Sequence, residues 1–314
     1  MSGARAIIRA TMLLTAAVLV GAATRTASAD ETLKICLDED RPPLSMHHRG
    51  KPGSGFDVAL AQAVAKELGR ALSIQWFESK LDEDSSPALE ANALLSDGRC
   101  ALVGSYALTR DSLVVPGVKT ARLPDFDGAT IADRRRRVPL GVLIPSQPYV
   151  YSALTIVLGA TARDRRVADI GDLAGLRIAI ESGTLGDAVL MNFGKGRLID
   201  DINHLVPGRS DLLGSLDRGE FDATLLDLAR FDAYRAVHPD NRLAATGYYY
   251  PIGINRGYVA VTSNVTLLDG VNKALADLQA RGTVAELARA AGLTYLPPRE
   301  PAVLGDVLQQ ILGK

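Results

Sequence analysis

The residues of this sequence best suited to chemistry are Ser182-Gly183-Thr184, Glu181, Asp227, a histidine pair, two cysteines and four consecutive arginines. Ser182-Gly183-Thr184 lies between an apolar run and a helical pattern, so its amides and hydroxyl could receive a ligand carboxylate. The alternative is that Thr184 only caps the helix that follows. Glu181 and Asp227 are the carboxylates placed to act as general acids, yet neither sits in a distinctive catalytic motif. No Gly-x-Ser-x-Gly, His-Glu-x-x-His or Walker loop occurs, and the chain is not expected to be an enzyme. His47-His48, with Asp38, Glu39 and Asp40 nearby, raises a metal site. Adjacent residues of an extended chain point to opposite faces, so a solvated turn is the reading adopted and neither metal nor cofactor is expected. Asp82-Glu83-Asp84 reads as a solvated loop. Arg134–Arg137 reads as a solvated surface run that could meet an anionic ligand or an acidic partner.

Composition narrows the class. The 314 residues carry 35 Lys+Arg against 36 Asp+Glu, a formal charge of −1, which lacks the basic excess of a nucleic-acid binder. Two cysteines are too few for a thiolate zinc cage or a disulfide-dense miniprotein. The N-terminus reads as an export leader over residues 1–29. Arg5 and Arg9 precede an apolar run, Met12 to Ala23, and Ala27-Ser28-Ala29 fits a small-residue cleavage pattern. That run is too short to span a bilayer, and no later segment approaches the necessary length, so no membrane insertion is expected. Removal of three arginines with the leader brings the mature charge to −4. In an oxidising compartment Cys36, in LKICL, and Cys100, in RCALVGS, could form a disulfide; two buried free thiols are the alternative.

The elements that would position these residues alternate between strand and helix. Leu33–Leu37 reads as a strand, and Leu60, Ala61, Val64, Ala65 and Leu68 give one apolar helix face closed by Gly69. Strand Leu72–Phe77, helix Pro87–Ser96 and a strand from Cys100 complete a βαβαβ series. A second series has strand Tyr151–Leu158, a short helix capped by Asp169 and strand LRIAIE. Helix Thr184–Asn192, helix Ser210–Arg218 and strand Phe221–Leu226 follow. Strand Gly257–Thr262 then leads into helices Thr266–Arg281 and Thr283–Ala291, the latter with Thr283 and Glu286 at capping-box spacing. Residues 111–147 show no clear periodicity and read as a long functional or disordered loop.

The order of four blocks resembles the family 3 extracellular solute-binding proteins, the amino-acid-type periplasmic receptors of ABC importers. They are GSGFDVALAQAVAKELG, PYVYSALTIVL, DIGDLAGLRIAIESGT with DRGEFDATLLD, and VNKALADLQARGTVAELARAAG. The resemblance implies an α/β, two-lobed periplasmic binding protein fold of type II, with two doubly wound sheets joined by two crossing strands. Lobe 1 would take residues 30–150 and 253–300 with an insertion at 111–147, lobe 2 residues 151–252, and residues 301–314 a terminal helix. It further implies a monomer in the periplasm that captures a small amino-acid-like or carboxylate ligand by hinge closure and serves an ABC permease. Ser182, Gly183, Thr184 and Asp227 would contact the ligand, Asp227 as the acceptor of an ammonium. The family's Thr-x-x-Arg is here Thr109-Arg110, with the arginine adjacent. Leu44 replaces an aromatic residue, leaving Tyr106 as its substitute, so Arg110 and Tyr106 complete the expected cleft.

LKICLDEDRPPLS and GRCALVG also resemble the solute-binding-like proteins associated with quinoprotein (methanol-type) dehydrogenases. That likeness implies a periplasmic dehydrogenase as the alternative partner. Some relatives of the fold act as dehydratases, a third reading in which Glu181 or Asp227 would donate the proton.

Overall fold

The computed structural model describes residues 32–48, 50–79, 86–114, 117–306 and 310. The expected leader, the acidic run 82–84 and nearly all of 307–314 lie outside the described residues.

The chain enters through β1 (Leu33–Asp38), four of whose six residues are buried, as a strand covered on both faces requires. A short hairpin of β2 (Asp40–Arg41) and β3 (Ser45–Met46) leads to α1 (Phe56–Glu67). Gly55 precedes this helix at φ 113°, where a Cβ would stand 2.5 Å from the Leu44 carbonyl oxygen. Only glycine allows this approach, which lets the carbonyls of Pro43 and Leu44 accept from the free amides of Phe56 and Asp57. β4 (Leu72–Glu78) runs parallel to β1, with Leu33 opposite Leu72 and Asp38 opposite Phe77. α2 (Pro87–Ser96) starts with Ser86 as cap and proline in its first turn, and β5 (Leu102–Ala107) joins the other side of β1 in parallel. Cys36 and Cys100 are joined by a disulfide with their Cα atoms 5.6 Å apart.

The segment at 111–147 is built rather than structureless. It holds α3 (Arg110–Leu113), β6 (Thr120–Arg122), β7 (Asp125–Phe126), α4 (Ile131–Arg135), β8 (Arg137–Pro139) and β9 (Leu143–Pro145). Its apolar residues Ala121, Phe126, Val138 and Leu143 cluster with Leu94, Cys36 and Cys100, giving lobe 1 a second core under α2.

The run read as one strand from Tyr151 divides at Ala153. β10 (Val150–Ser152) belongs to the first sheet and β11 (Leu154–Leu158) to the second, so the chain crosses between lobes there. Lobe 2 continues through β12 (Ile178–Glu181), α5 (Leu185–Asn192), β13 (Ile202–Leu205), α6 (Leu212–Arg218), β14 (Ala223–Asp227), α7 (Leu228–Val237) and β15 (Ala244–Tyr249). Its strand order is β13-β12-β14-β11-β15, with β12 parallel to β13 and β14. The chain then returns through β16 (Ile254–Val261), which enters lobe 1 antiparallel between β10 and β5. The first sheet is thus ordered β10-β16-β5-β1-β4-β7, with β9 also on β16.

α8 (Val265–Ala280) and α9 (Thr283–Ala290) pack against α1. The capping box expected at Thr283 and Glu286 does not form, because the left-handed Gly282 is the cap residue and no side chain bonds the helix start. The terminal segment binds both lobes. Thr294 donates to Asp232 on α7, the Leu296 carbonyl accepts from the Tyr151 amide, and Leu304 exchanges backbone bonds with Leu108 and Arg110. Leu304 also packs on the lobe 2 core. Residues 301–306 are therefore bent and irregular rather than the helix expected from 301, because their backbone bonds run sideways to the end of β5 and to Asn255, whereas Gln310 is helical.

Candidate functional site

β1, β4 and β5 are parallel and end on the same side of lobe 1, and ligands of open α/β sheets bind beyond such carboxyl ends. A cavity of about 440 Å³ opens there. Asp38, Ser79, Ser105 and Tyr106 line it from the strand ends, Arg41 from the hairpin, and Arg256 from β16.

Ser105 carries unusual features. It is a non-glycine residue at φ 53°, in the left-handed region, and it is 4% exposed. Its amide donates to Tyr149 Oη at 2.6 Å, and Tyr149 in turn donates to Asp57 Oδ1 at 2.9 Å. Its hydroxyl makes no well-formed hydrogen bond, although it lies close enough to Asp57 to favour that carboxylate. Burial lifts Asp57 to about 6, against the opposing pull of Tyr149, Ser105, Arg41 and Arg256.

Two guanidinium groups face this network. Arg256 donates to the Ser105 carbonyl at 3.1 Å and stands 3.7 Å from Asp227. Burial and the charge of Arg41 both lower its pKa. Arg41 has no carboxylate within ion-pair distance among the described residues, and its charge partly offsets the burial that raises Asp38. Among the described residues the cavity therefore offers an Arg41 guanidinium with no carboxylate at ion-pair distance, while the Ser105 hydroxyl lies buried towards Asp57.

Tyr106 lines this cavity as a ring only. Its hydroxyl donates to the Ser112 carbonyl, and burial pushes the phenol well above its ordinary value. Arg110 is exposed, does not line the cavity, and is fixed through its backbone amide to Leu304. Asp227 lies where β14 ends, at the hinge, and its neighbours hold both carboxylate oxygens. Oδ1 caps α7 through the Ala229 amide at 2.9 Å, and Oδ2 accepts from Ser152 Oγ at 2.5 Å.

Ser182, Gly183 and Thr184 stand together after β12, and all three amides donate within the chain. Ser182 donates to the Leu205 carbonyl, Gly183 to Asp187 Oδ2 at 2.8 Å, and Thr184 to the Glu181 carbonyl. The Thr184 hydroxyl accepts from Asp187 N and donates to the Glu181 carbonyl. Asp187, also 2.9 Å from His204 Nε2, thus supplies the carboxylate that the amides were expected to take from a ligand. Glu181 is 5% exposed and receives both ends of the Arg230 guanidinium.

The sequence reading missed Arg41, Ser105 and Arg256. Arg256 had a usable signal, since it stands inside an apolar strand that begins at Ile254 rather than Gly257. The histidine pair separates as expected, with His48 exposed. His47 instead stacks on Trp76 at 4.8 Å, and its ring nitrogen lies with carboxylate oxygens of Glu39 and Asp127 within 4.8 Å of one another. This mixed nitrogen and oxygen set could hold a divalent cation. Partial burial and the neighbouring Asp127 and Glu78 raise the pKa of Glu39 there.

No protein-family model and no curated protein matches the chain. Solved structures do. The L-cystine solute receptor of Neisseria gonorrhoeae, in an unliganded open conformation, is 21% identical with a TM-score of 0.56, covering 82% of this chain and 91% of the receptor. Substrate binding domain 2 of Lactococcus lactis GlnP, also open, is 19% identical with a TM-score of 0.58, covering 82% and 94%. A histidine kinase sensor domain with similarity to periplasmic binding proteins is 17% identical with a TM-score of 0.54, covering 86% and 99%. At these identities the likeness is one of fold, and the fold is the two-lobed periplasmic binding protein fold.

Proposed function

We propose that this chain is a periplasmic, monomeric solute-binding protein that closes its two lobes on a small amino-acid-like or carboxylate ligand and presents it to an ABC permease. The observation that carries this reading is the lobe 1 cavity, where Arg41, with no carboxylate at ion-pair distance among the described residues, and the partly buried Arg256 converge. A carboxylate matches that donor set, and Asp38 or the hinge acid Asp227 is the acceptor for a ligand ammonium. Fold neighbours that are receptors or substrate-binding domains support the same reading. Closure about the crossings at Ala153 and between β15 and β16 then brings Thr184 and its neighbours over the ligand.

Thermal-shift titration of the chain against amino acids and small mono- and dicarboxylates tests this. A ligand at a hundredfold excess over Kd stabilises the folded state by about 2.7 kcal/mol. The expected result is a shift with at least one compound, lost in Arg41→Ala. No shift across the panel removes the transport reading.

The alternative, a partner of a quinoprotein dehydrogenase, is supported by the bond between the two cysteines that carry that resemblance. Stoichiometric co-elution with such a dehydrogenase, alongside a silent ligand panel, would favour it. A dehydratase is the weakest reading, since both carboxylate oxygens of Glu181 are engaged by the Arg230 guanidinium.

A further inference from the structure

The four arginines 134–137 divide by role. Arg134 pairs with Asp125 at 3.0 Å and Arg136 with Asp97, so these two fasten the segment to itself and to the end of α2. Asp97 and Asp133 are further engaged by Arg99. Arg135 and Arg137 are exposed and have no partner among the described residues. Arg137 lies directly opposite Arg122 in the β6–β8 ribbon, on the exposed face, while the neighbouring pair Ala121 and Val138 turns inward. Like charges placed directly opposite in a ladder destabilise it, and the nearby carboxylates are committed to other arginines. Ile131, 71% exposed, stands four residues before Arg135 and shares its face of α4.

We infer that the outward face of the β6–β8 ribbon and α4 is a docking surface for an acidic segment of a partner protein. Arg122 and Arg137 present two guanidinium forks side by side, a match for neighbouring carboxylates, and Ile131 supplies an apolar contact. Three arginines without a partner among the described residues, Arg122, Arg135 and Arg137, on a chain of net charge −1 are too few for a duplex, which is gripped by a broad basic face. They also fall short of the four to eight basic residues that mark an anionic membrane site. The inference is independent of any ligand in the cleft.

The test is fluorescence anisotropy of a labelled peptide of alternating Asp and Glu with one central Leu, titrated with the full chain at low salt. Binding that weakens as salt rises is expected, with affinity falling at least about tenfold in Arg122→Glu. The same substitution places opposite charges across the ribbon, so its melting temperature should hold or rise by about 1–2 °C. Loss of binding with a stable fold supports docking. Absence of peptide binding, or equal binding by Arg122→Glu, overturns it. So does tighter binding of a heparin fragment or of phosphatidylserine vesicles than of the peptide.

Discussion

The two faces of the cleft differ in how far each satisfies itself. On lobe 2, the amides of residues 182–184, the Thr184 hydroxyl, and the carboxylates of Asp187 and Glu181 all have partners within the chain. On lobe 1, Arg41 has no carboxylate at ion-pair distance among the described residues, the Ser105 hydroxyl lies buried without a well-formed bond, and the Ser105 backbone is held in a sparsely populated conformation. Unmade interactions persist where the surroundings enforce them, and here the enforcement is the buried Asp57–Tyr149 network. The contrast teaches an order of events. Under the proposed receptor role, a ligand would dock first on lobe 1, where a guanidinium is waiting, and lobe 2 would close over it without needing to surrender its own bonds.

The largest expected effect concerns stability. Only lobe 1 carries a disulfide, closing a loop of 64 positions, worth about 4 kcal/mol. Replacing Cys36 and Cys100 by Ala should lower lobe 1's unfolding midpoint and leave a separate, unmoved lobe 2 transition in calorimetry. A single shifted transition would show that the lobes unfold as one unit.

Next comes pH, where the lobes should respond with opposite sign. Asp57 in lobe 1 is raised from 3.8 to about 6, so its contribution is most favourable below the unfolded value and fades as pH rises through 6. The change amounts to about 3 kcal/mol. Asp222 in lobe 2 is lowered by its bonds to Arg177 and Thr161. Its contribution is present above 3.8 and is lost as pH falls towards its depressed value. Denaturation midpoints between pH 3 and 7 should lose their decline towards pH 6 in Asp57→Asn and lose part of their acid sensitivity in Asp222→Asn.

Smaller effects separate the faces in binding. For whichever carboxylate ligand registers, Arg41→Ala should weaken affinity about tenfold or more by calorimetric titration, with little change in melting. Thr184→Ala should do the reverse, costing about 1 kcal/mol of stability through the lost helix cap while changing affinity much less. Equal binding losses for the two variants would erase the distinction between the faces.

The alternation of strand and helix was legible because the long elements carry a clear period. α1 shows its apolar stripe and β1 its buried run directly in the text. The elements of 111–147 are two to five residues long, too short for any period to register, so a folded segment read as a loop. The capping box at Thr283 had the right letters but lost to the left-handed Gly282. Of the residues expected in the cleft, Tyr106 lines the lobe 1 cavity. Arg41 and Arg256 stand 215 positions apart, and only the placement of β16 beside β5 brings them together.

That placement of β16 also fixes a sequence of assembly. Every strand of lobe 2 lies between residues 154 and 249, so that lobe can fold as soon as its own stretch has been synthesised. Lobe 1 cannot, because β16, which separates β5 from β10, is made more than a hundred residues after β5. Until it arrives, β5 keeps one row of backbone groups open, a template for pairing with other chains. The cysteines precede that interval. Their bond can join β1 to the start of β5 once the first hundred residues are available, so the half-sheet has a covalent brace while it waits for its missing strand.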